Sequence, residues 1–266
     1  GNLAPTRGSV TVCGIDLLDD PKAAKSRIGY LPETPPLYLD LSVDDYLRLA
    51  ARLHRVPKAG IGDAVERVKQ RCALADAGRR LIGTLSKGYR QRVGIAQAII
   101  HDPDVVILDE PTVGLDPIQI REIRMLIREL GRAHSVVLST HILPEVEAVC
   151  DRVEIMHLGK MVFSGSVETL KQQRRGHILL LGLSNPPAAE EIGAVEGVAA
   201  VEPVSAHEFR IRHEPGSDPS GRLAELAVSR GWGLTQIAPA HASLEDVFVR
   251  LTQQEEAGAG TGNDGK

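Results

Sequence analysis

The chain has 266 residues, 42% of them apolar and 25% charged, and its formal net charge is -4 at pH 7. This composition is typical of a globular protein with room for one large and one small domain. The net charge gives no reason to expect nucleic acid as the main partner, because nucleic acid selects basic surfaces. The three cysteines form no CxxC pair, which favours buried thiols in a reducing compartment over disulfides or a metal site.

No apolar run approaches the roughly 18–20 residues that span a bilayer, and no signal peptide is visible. We therefore expect a cytoplasmic protein, or one that another chain holds at a membrane. The first residue is glycine rather than methionine, so we expect the sequence to begin inside a domain.

The amino-terminal segment is predicted to contain two strands separated by turns. A turn at Pro5–Gly8 precedes the first strand, Ser9–Val12. The stretch Arg27–Asp40 begins as a strand and continues as a loop, because its prolines exclude regular structure. Glu33 lies in this loop.

The next stretch, Leu41–Ala77, has a helical pattern. Ser42 and Asp45 form the S-x-x-D start of a helix that carries an apolar stripe. A second helix is predicted from about Ile61 to Cys72. Nothing in this stretch indicates catalysis, and the apolar stripe is interpreted as core.

The most informative stretch reads LSKGYRQRVGIAQAIIHDPDVVILDEPTVGLDP. Ser86 and Gly88 lie at the start of a predicted helix, where free N–H groups and the positive dipole end favour an anion. Val105–Leu108 is a short β-branched run typical of a strand buried on both faces of a parallel sheet. Asp109 and Glu110 follow at the carboxyl end of that strand, the usual ligand edge of open α/β sheets.

A second predicted strand ends at the same edge. Ile118–Leu130 is predicted to be an amphipathic helix that Gly131 caps. Ser135–Ser139 is then predicted to be another buried apolar strand, and His141 follows it. A lone histidine is more often structural, but a place on the same sheet edge as the acid pair favours a functional role.

Short elements and a charged boundary come next. Pro144–Cys150 is predicted to be a helix, and Arg152–Leu158 and Met161–Phe163 are predicted to form a hairpin. The charged cluster in Lys171–Gly176 could contact phospholipid or RNA, but a solvated linker between two folding units is the better interpretation.

Beyond this boundary the predicted elements follow the order βαββαβ, which indicates a split-βαβ, ferredoxin-like domain. These elements are His177–Leu183, Pro187–Val195, Ala199–Val204, Glu208–Arg212, Gly221–Ser229 and Leu234–Pro239. A closing helix is predicted at Ser243–Leu251, and the polar, Gly-rich tail after it is expected to be disordered.

Three motifs in a fixed order resemble those of the ATP-binding-cassette (ABC) ATPases: LSKGY their signature motif, VVILDEP their Walker B strand and GLD their D-loop. The resemblance implies an α/β, P-loop NTPase-type ABC ATPase domain with a helical subdomain at residues 1–172. It also implies a small ferredoxin-like α+β accessory domain at residues 176–252, as in drug-exporter and gliding-motility type ABC ATPases. Residues 253–266 would be a disordered tail.

The phosphate-binding loop of this family, Walker A, comes just before the segment that Gly1–Asp20 resembles. We therefore expect an amino-terminal truncation, and we expect the 266 residues alone to be inactive. The tail GTGNDGK fits the pattern GxxxxGK. It follows no predicted strand and opens no predicted helix, so this match is interpreted as a coincidence.

The resemblance implies roles for the residues at the sheet edge. Asp109 would hold Mg²⁺, Glu110 would orient and deprotonate the attacking water, and His141 would bond the γ-phosphate of ATP. Glu33 stands where most family members carry glutamine in their Q-loop, and it too would face Mg²⁺. A solvated loop carboxylate is the alternative interpretation of Glu33.

The resemblance also implies partners. Ser86 and Gly88 would bind the γ-phosphate of a nucleotide held by a second ABC ATPase subunit, and Asp116 would cross the same interface. The chain would then be the ATPase subunit of an ABC exporter, at the inner face of the cell membrane, and would drive a separate integral membrane permease. Two alternatives remain open: a cassette that works without a permease, on the ribosome or DNA, and a non-catalytic regulatory paralogue.

Overall fold

The computed structural model describes residues 3–173, 178–214 and 216–239. The chain divides into two compact units, Gly1–Cys150 and Asp151–Lys266. The predicted boundary at Lys171–Gly176 lies partly outside the described residues, and the predicted helix Ser243–Leu251 lies entirely outside them, as does the tail. Among the described residues, no helix combines the length and the apolar character that a membrane crossing requires.

The first unit contains six α-helices and five strands within the described residues. They are β1 (Thr11–Val12), β2 (Ile15–Asp16), α1 (Pro21–Ser26), β3 (Ile28–Leu31), α2 (Val43–Leu53), α3 (Ile61–Arg71), α4 (Lys87–Ile99), β4 (Val105–Asp109), α5 (Pro117–Leu130), β5 (Ser135–Ser139) and α6 (Leu143–Val149).

The strand predicted at Ser9–Val12 is shorter in the structure. It begins at Thr11 and pairs antiparallel with β2. The turn between the two strands contains Cys13 and Gly14, whose φ angles are 50° and 77°. Two successive positive φ angles are characteristic of a type I′ turn, which reverses the chain within two residues and so limits both strands.

β3, β4 and β5 form a parallel sheet in that order. The prediction of strands buried on both faces is wrong for one face. Val106 and Leu108 are buried in the core cluster, whereas Ile107 is half-buried and Val137 is 53% exposed. Helices α2, α3, α4 and α5 contribute buried residues to the same cluster, and side chains alternate between the two faces of a strand, so Ile107 lies on the opposite face from Val106 and Leu108.

Three helices, α2, α3 and α4, contact one another and complete this core. Ser42 caps α2 as predicted, because its hydroxyl accepts a hydrogen bond from the N–H of Asp45 at 3.1 Å. Between α2 and α3, Lys69 and Asp44 form an ion pair at 2.8 Å, and both side chains are largely buried. The two helices predicted in this stretch are confirmed.

The second unit contains β6 (Arg152–His157), β7 (Lys160–Ser166), α7 (Val167–Gln173), β8 (Ile178–Leu183), α8 (Ala189–Gly193), β9 (Val198–Pro203), β10 (Glu208–His213), α9 (Ser220–Ser229) and β11 (Leu234–Pro239). β6 and β7 form the predicted hairpin. The other four strands form an antiparallel sheet in the order β11-β8-β10-β9. β8, the first of the four along the chain, lies between β11, the last, and β10, the third. The split-βαβ plan requires this order, and the ferredoxin-like prediction is confirmed.

A stacked pair of histidines makes the stability of the first unit dependent on pH. The rings of His54 and His101 lie 3.9 Å apart between centroids and 6° from parallel. Burial, followed by the nearby charge of His54, lowers the pKa of His101 to about 4, and burial also lowers the pKa of His54. The unfolded chain therefore takes up protons more readily, so the contribution of His101 is complete above about pH 6.5 and is lost as the pH falls towards 4.

We expect the free energy of unfolding to fall by about 1 kcal/mol between pH 7 and pH 5, after allowance for solvent screening of half-buried rings. Denaturant titrations at several pH values measure this slope. His101→Phe keeps a ring against His54 but does not titrate, so it should flatten the slope. An unchanged slope in this variant would remove His101 as its source.

Candidate functional site

The acid pair lies where the parallel sheet ends. Asp109 is the last residue of β4 and is opposite Ser139 in β5, whose hydroxyl donates a hydrogen bond to Oδ1 of Asp109. The N–H of Glu110 donates to the carbonyl oxygen of Ser139 at 2.9 Å. Glu110 has a φ of 45°, a left-handed conformation that is strained for a residue with a Cβ and that concentrates at functional sites.

The structure brings Glu110 and His141 into direct contact. Oε1 of Glu110 accepts a hydrogen bond from the N–H of His141 at 2.9 Å and lies 2.7 Å from Nδ1 of the same residue. Oε2 accepts from the hydroxyl of Thr140 at 3.3 Å. The Glu110 side chain is only 16% exposed, whereas the His141 side chain is 74% exposed. Hydrogen-bond donors therefore hold both oxygens of the Glu110 carboxylate, and the neighbouring imidazole of His141 is exposed to solvent.

Electrostatics favour a protonated His141. Its hydrogen bond to Glu110 and the charge of Glu110 raise the pKa of His141, and the carboxylates of Glu145 and Glu33 raise it further. Glu33 is exposed in the loop after β3. An imidazolium at the open edge can bind an anion such as a phosphate oxygen.

Sequence reasoning missed two threonines and one acid at this site. Thr112 and Glu145 are each 1% exposed, and the Thr112 hydroxyl donates a hydrogen bond to Oε1 of Glu145. Thr140 lies between Glu110 and Glu145. In the sequence, Thr112 and Thr140 are visible only as polar residues near Glu110 and His141, and Glu145 only as an acid in a short helix. Such residues are too common to mark a site.

The remaining predicted residues lie where α4 meets α5. Ser86 is exposed and caps α4, accepting a hydrogen bond from the N–H of Tyr89 at 3.4 Å. Gly88 is buried, and a Cβ on it would lie 2.5 Å from the side chain of Gln119 in α5. Asp116 caps α5, because its Oδ1 accepts from the N–H groups of Ile118 and Gln119, each at 3.0 Å. Asp116 thus has a structural task within its own chain.

Comparison with known proteins agrees with this architecture. The ABC transporter family matches residues 1–113. The chain is 32% identical over 253 residues to the uncharacterized ABC transporter ATP-binding protein YxlF of Bacillus subtilis, covering 94% of this chain and 83% of that protein. It is 33% identical over 256 residues to the bacitracin transport ATP-binding protein BcrA of Bacillus licheniformis, covering 94% of this chain and 81% of that protein.

Solved structures show the same likeness. An ATP-binding subunit of an ABC transporter superposes with a TM-score of 0.57 at 32% identity, covering 65% of this chain and 72% of that chain. The structure of cbiO1 from Clostridium perfringens, part of an ABC transporter complex, superposes with a TM-score of 0.59 at 27% identity, covering 66% and 73%. The fold is that of an ABC transporter ATP-binding subunit.

The chain belongs to the ATP-binding proteins of ABC transporters. Proteins of this family bind ATP and are ATPases. This assignment establishes ATP hydrolysis as the class of chemistry.

Proposed function

We propose that this chain hydrolyses Mg²⁺-ATP at the edge where β4 and β5 end, and that the energy drives export through a permease in a separate membrane chain. The observation that carries this proposal is the Glu110 carboxylate, which three donors hold beside Asp109 in a strained backbone conformation. A carboxylate fixed in this way can orient a water molecule and accept its proton.

Mg²⁺ suits the donors at this edge. No three or more His, Cys, Asp or Glu side chains form a metal-binding group in the described part of the chain. Mg²⁺ rarely needs such a group, since it usually takes one or two carboxylates together with water and substrate phosphates. Asp109 would hold it, with Glu33 facing it, and the ion would neutralise charge on the phosphates.

Hydrolysis then depends on positions fixed by the protein. Glu110 accepts a proton from the attacking water while its second oxygen stays bonded to Thr140. His141, with its pKa raised by Glu110, binds the γ-phosphate and stabilises the charge that develops there. Both residues extend from the ends of parallel strands, so their separation is set by the sheet.

The contact between α4 and α5 would serve a second ATPase subunit. Ser86 and Asp116 are exposed, and Gly88 lets the two helices approach closely. An α4 amino terminus with free N–H groups would bind the γ-phosphate of a nucleotide on the partner. We further propose an ATPase domain at residues 1–172 and an accessory domain at residues 176–252.

A magnesium titration of ATP hydrolysis by the full-length protein tests this function. Asp109→Asn should raise the half-saturating Mg²⁺ concentration by about 10-fold or more, the range expected when an oriented group at a metal site is lost. Asp104→Asn is a matched control, because Asp104 lies just before the same strand and forms only an exposed ion pair with Arg27. Equal Mg²⁺ requirements in the two variants would exclude Asp109 as the ligand.

A further inference from the structure

Glu145 is a buried acid that the proposed hydrolysis does not use. It lies on α6, and only 1% of the residue is exposed. Burying a carboxylate costs free energy unless hydrogen bonds and positive charge compensate for lost water. The hydrogen bonds that compensate for the burial of Glu145 therefore hold its partner side chains in fixed positions.

The partners of Glu145 come from three other segments of the site. Oε1 accepts the hydrogen bond from Thr112 and lies 3.7 Å from a terminal nitrogen of Arg124. Oε2 lies 3.4 Å from the hydroxyl oxygen of Thr140. Thr112 belongs to the loop after the acid pair, Arg124 belongs to α5, and Thr140 directly follows β5. Glu145 thus contacts the loop that follows Glu110, helix α5 and the residue that follows β5.

The Thr140 hydroxyl connects the two acids directly. It accepts a hydrogen bond from the N–H of Ile142 at 3.1 Å, and it has a single proton to donate. This proton faces Oε2 of Glu110 at 3.3 Å and Oε2 of Glu145 at 3.4 Å. The hydroxyl therefore lies between the two carboxylates, and Glu145 helps to fix its position beside Glu110.

We propose that Glu145 is a positioning residue for the hydrolytic site, holding Thr112 and Thr140 so that the Glu110 carboxylate stays aimed at the attacking water. This inference rests on the proposed function. Thr112 restrains the loop in which Glu110 has its strained φ, and Thr140 precedes His141, whose N–H also binds Glu110. Without Glu145, both restraints loosen together.

Steady-state ATP hydrolysis by the full-length protein tests the proposal. Glu145→Gln should lower kcat by about 10-fold or more, since misplacement of a catalytic group by an ångström costs up to about 10². The KM for ATP should change less than about twofold, because Glu145 is buried and would act through Glu110 rather than on ATP binding. Asp44→Asn is the control: it breaks the buried pair with Lys69, so it should lower thermal stability without lowering kcat per folded molecule.

Two substitutions at Thr140 keep the test decisive if Glu145→Gln does not fold. Thr140→Val should lose as much kcat as Glu145→Gln, Thr140→Ser should keep the parent value, and the double variant should be no slower than the slower single variant. Unchanged kcat in Thr140→Val, or a loss in Glu145→Gln no larger than that in Asp44→Asn, would overturn the proposal. If Glu110→Gln also leaves turnover intact, the proposed function itself has failed.

Discussion

Replacing Glu110 with glutamine is expected to lower the rate of ATP hydrolysis by a factor of about 10² or more, because general-base steps contribute about 10²–10⁴. Glutamine keeps the size of the side chain and can still accept from the N–H of His141, as Glu110 does at 2.9 Å. It cannot take a proton from water. ATP binding should therefore survive, and the ATP-bound dimer that we propose should last longer. Turnover and ATP-dependent dimer mass, measured together on the full-length protein, check both expectations.

A matched control separates this loss from a general effect of removing negative charge. Glu129 is an exposed acid near the end of α5 in the same unit, and Glu129→Gln should leave turnover unchanged. Parallel losses in the two variants, or full activity in Glu110→Gln, would remove Glu110 from its proposed role. A loss of ATP binding in Glu110→Gln would instead indicate that the carboxylate organises the pocket.

The sheet edge could be predicted because each of its parts carries a local signal. Val105–Leu108 and Ser135–Ser139 are short apolar runs, and each is followed at once by polar residues. Parallel neighbours end at the same edge, so an acid after one strand and a histidine after the next must lie close together. In the structure Glu110 and His141 form hydrogen bonds across 31 positions of sequence.

The contacts that orient Glu110 could not be predicted in the same way. Glu145 and Thr112 are 33 positions apart, and neither stands in a pattern that marks a buried polar residue. An acid in a short helix is most often exposed, and only the tertiary structure shows that this one faces two hydroxyls. The exposure of one face of the sheet was missed for a related reason: an apolar run does not tell how many faces of its strand are covered.

Asp116 shows how two interpretations can share one residue. Its position before Pro117 fits the rule that Asp caps a helix and Pro occupies the first turn, and the structure has both features. The family resemblance led only to the interface role, which remains a prediction. A local capping rule would have found the structural role without any tertiary information.

Gly29→Ala should destabilise the first unit by about 3 kcal/mol, because the added methyl group overpacks a contact between sheet and helix. Gly29 lies in β3, and a Cβ on it would be 2.1 Å from the carbonyl oxygen of Ala98 in α4 and 3.0 Å from a ring carbon of Pro103. The main obstacle is helix backbone, so α4 as a whole must move away from the sheet. Because Ser86 caps α4, the same shift should disturb the start of this helix at Ser86 and Gly88.

Two other glycines give a graded comparison. At Gly94 a Cβ would lie 2.6 Å from the end of the Leu31 side chain and 2.9 Å from Pro35, and a leucine can rotate, so Gly94→Ala should cost less. At Gly62, exposed in α3 with nothing within 4 Å, alanine should stabilise the helix by up to about 1 kcal/mol.

Thermal unfolding of the three variants measures this order, with shifts of roughly 2–4 °C for each kcal/mol in a unit of this size. The expected sequence of melting temperatures is Gly62→Ala above the parent, then Gly94→Ala, then Gly29→Ala lowest. The cost of the methyl group follows the rigidity of its neighbour: open solvent at Gly62, a rotatable side chain at Gly94 and a helix backbone at Gly29. Equal melting temperatures for Gly29→Ala and Gly62→Ala would mean that β3 and α4 pack less closely than the 2.1 Å approach implies.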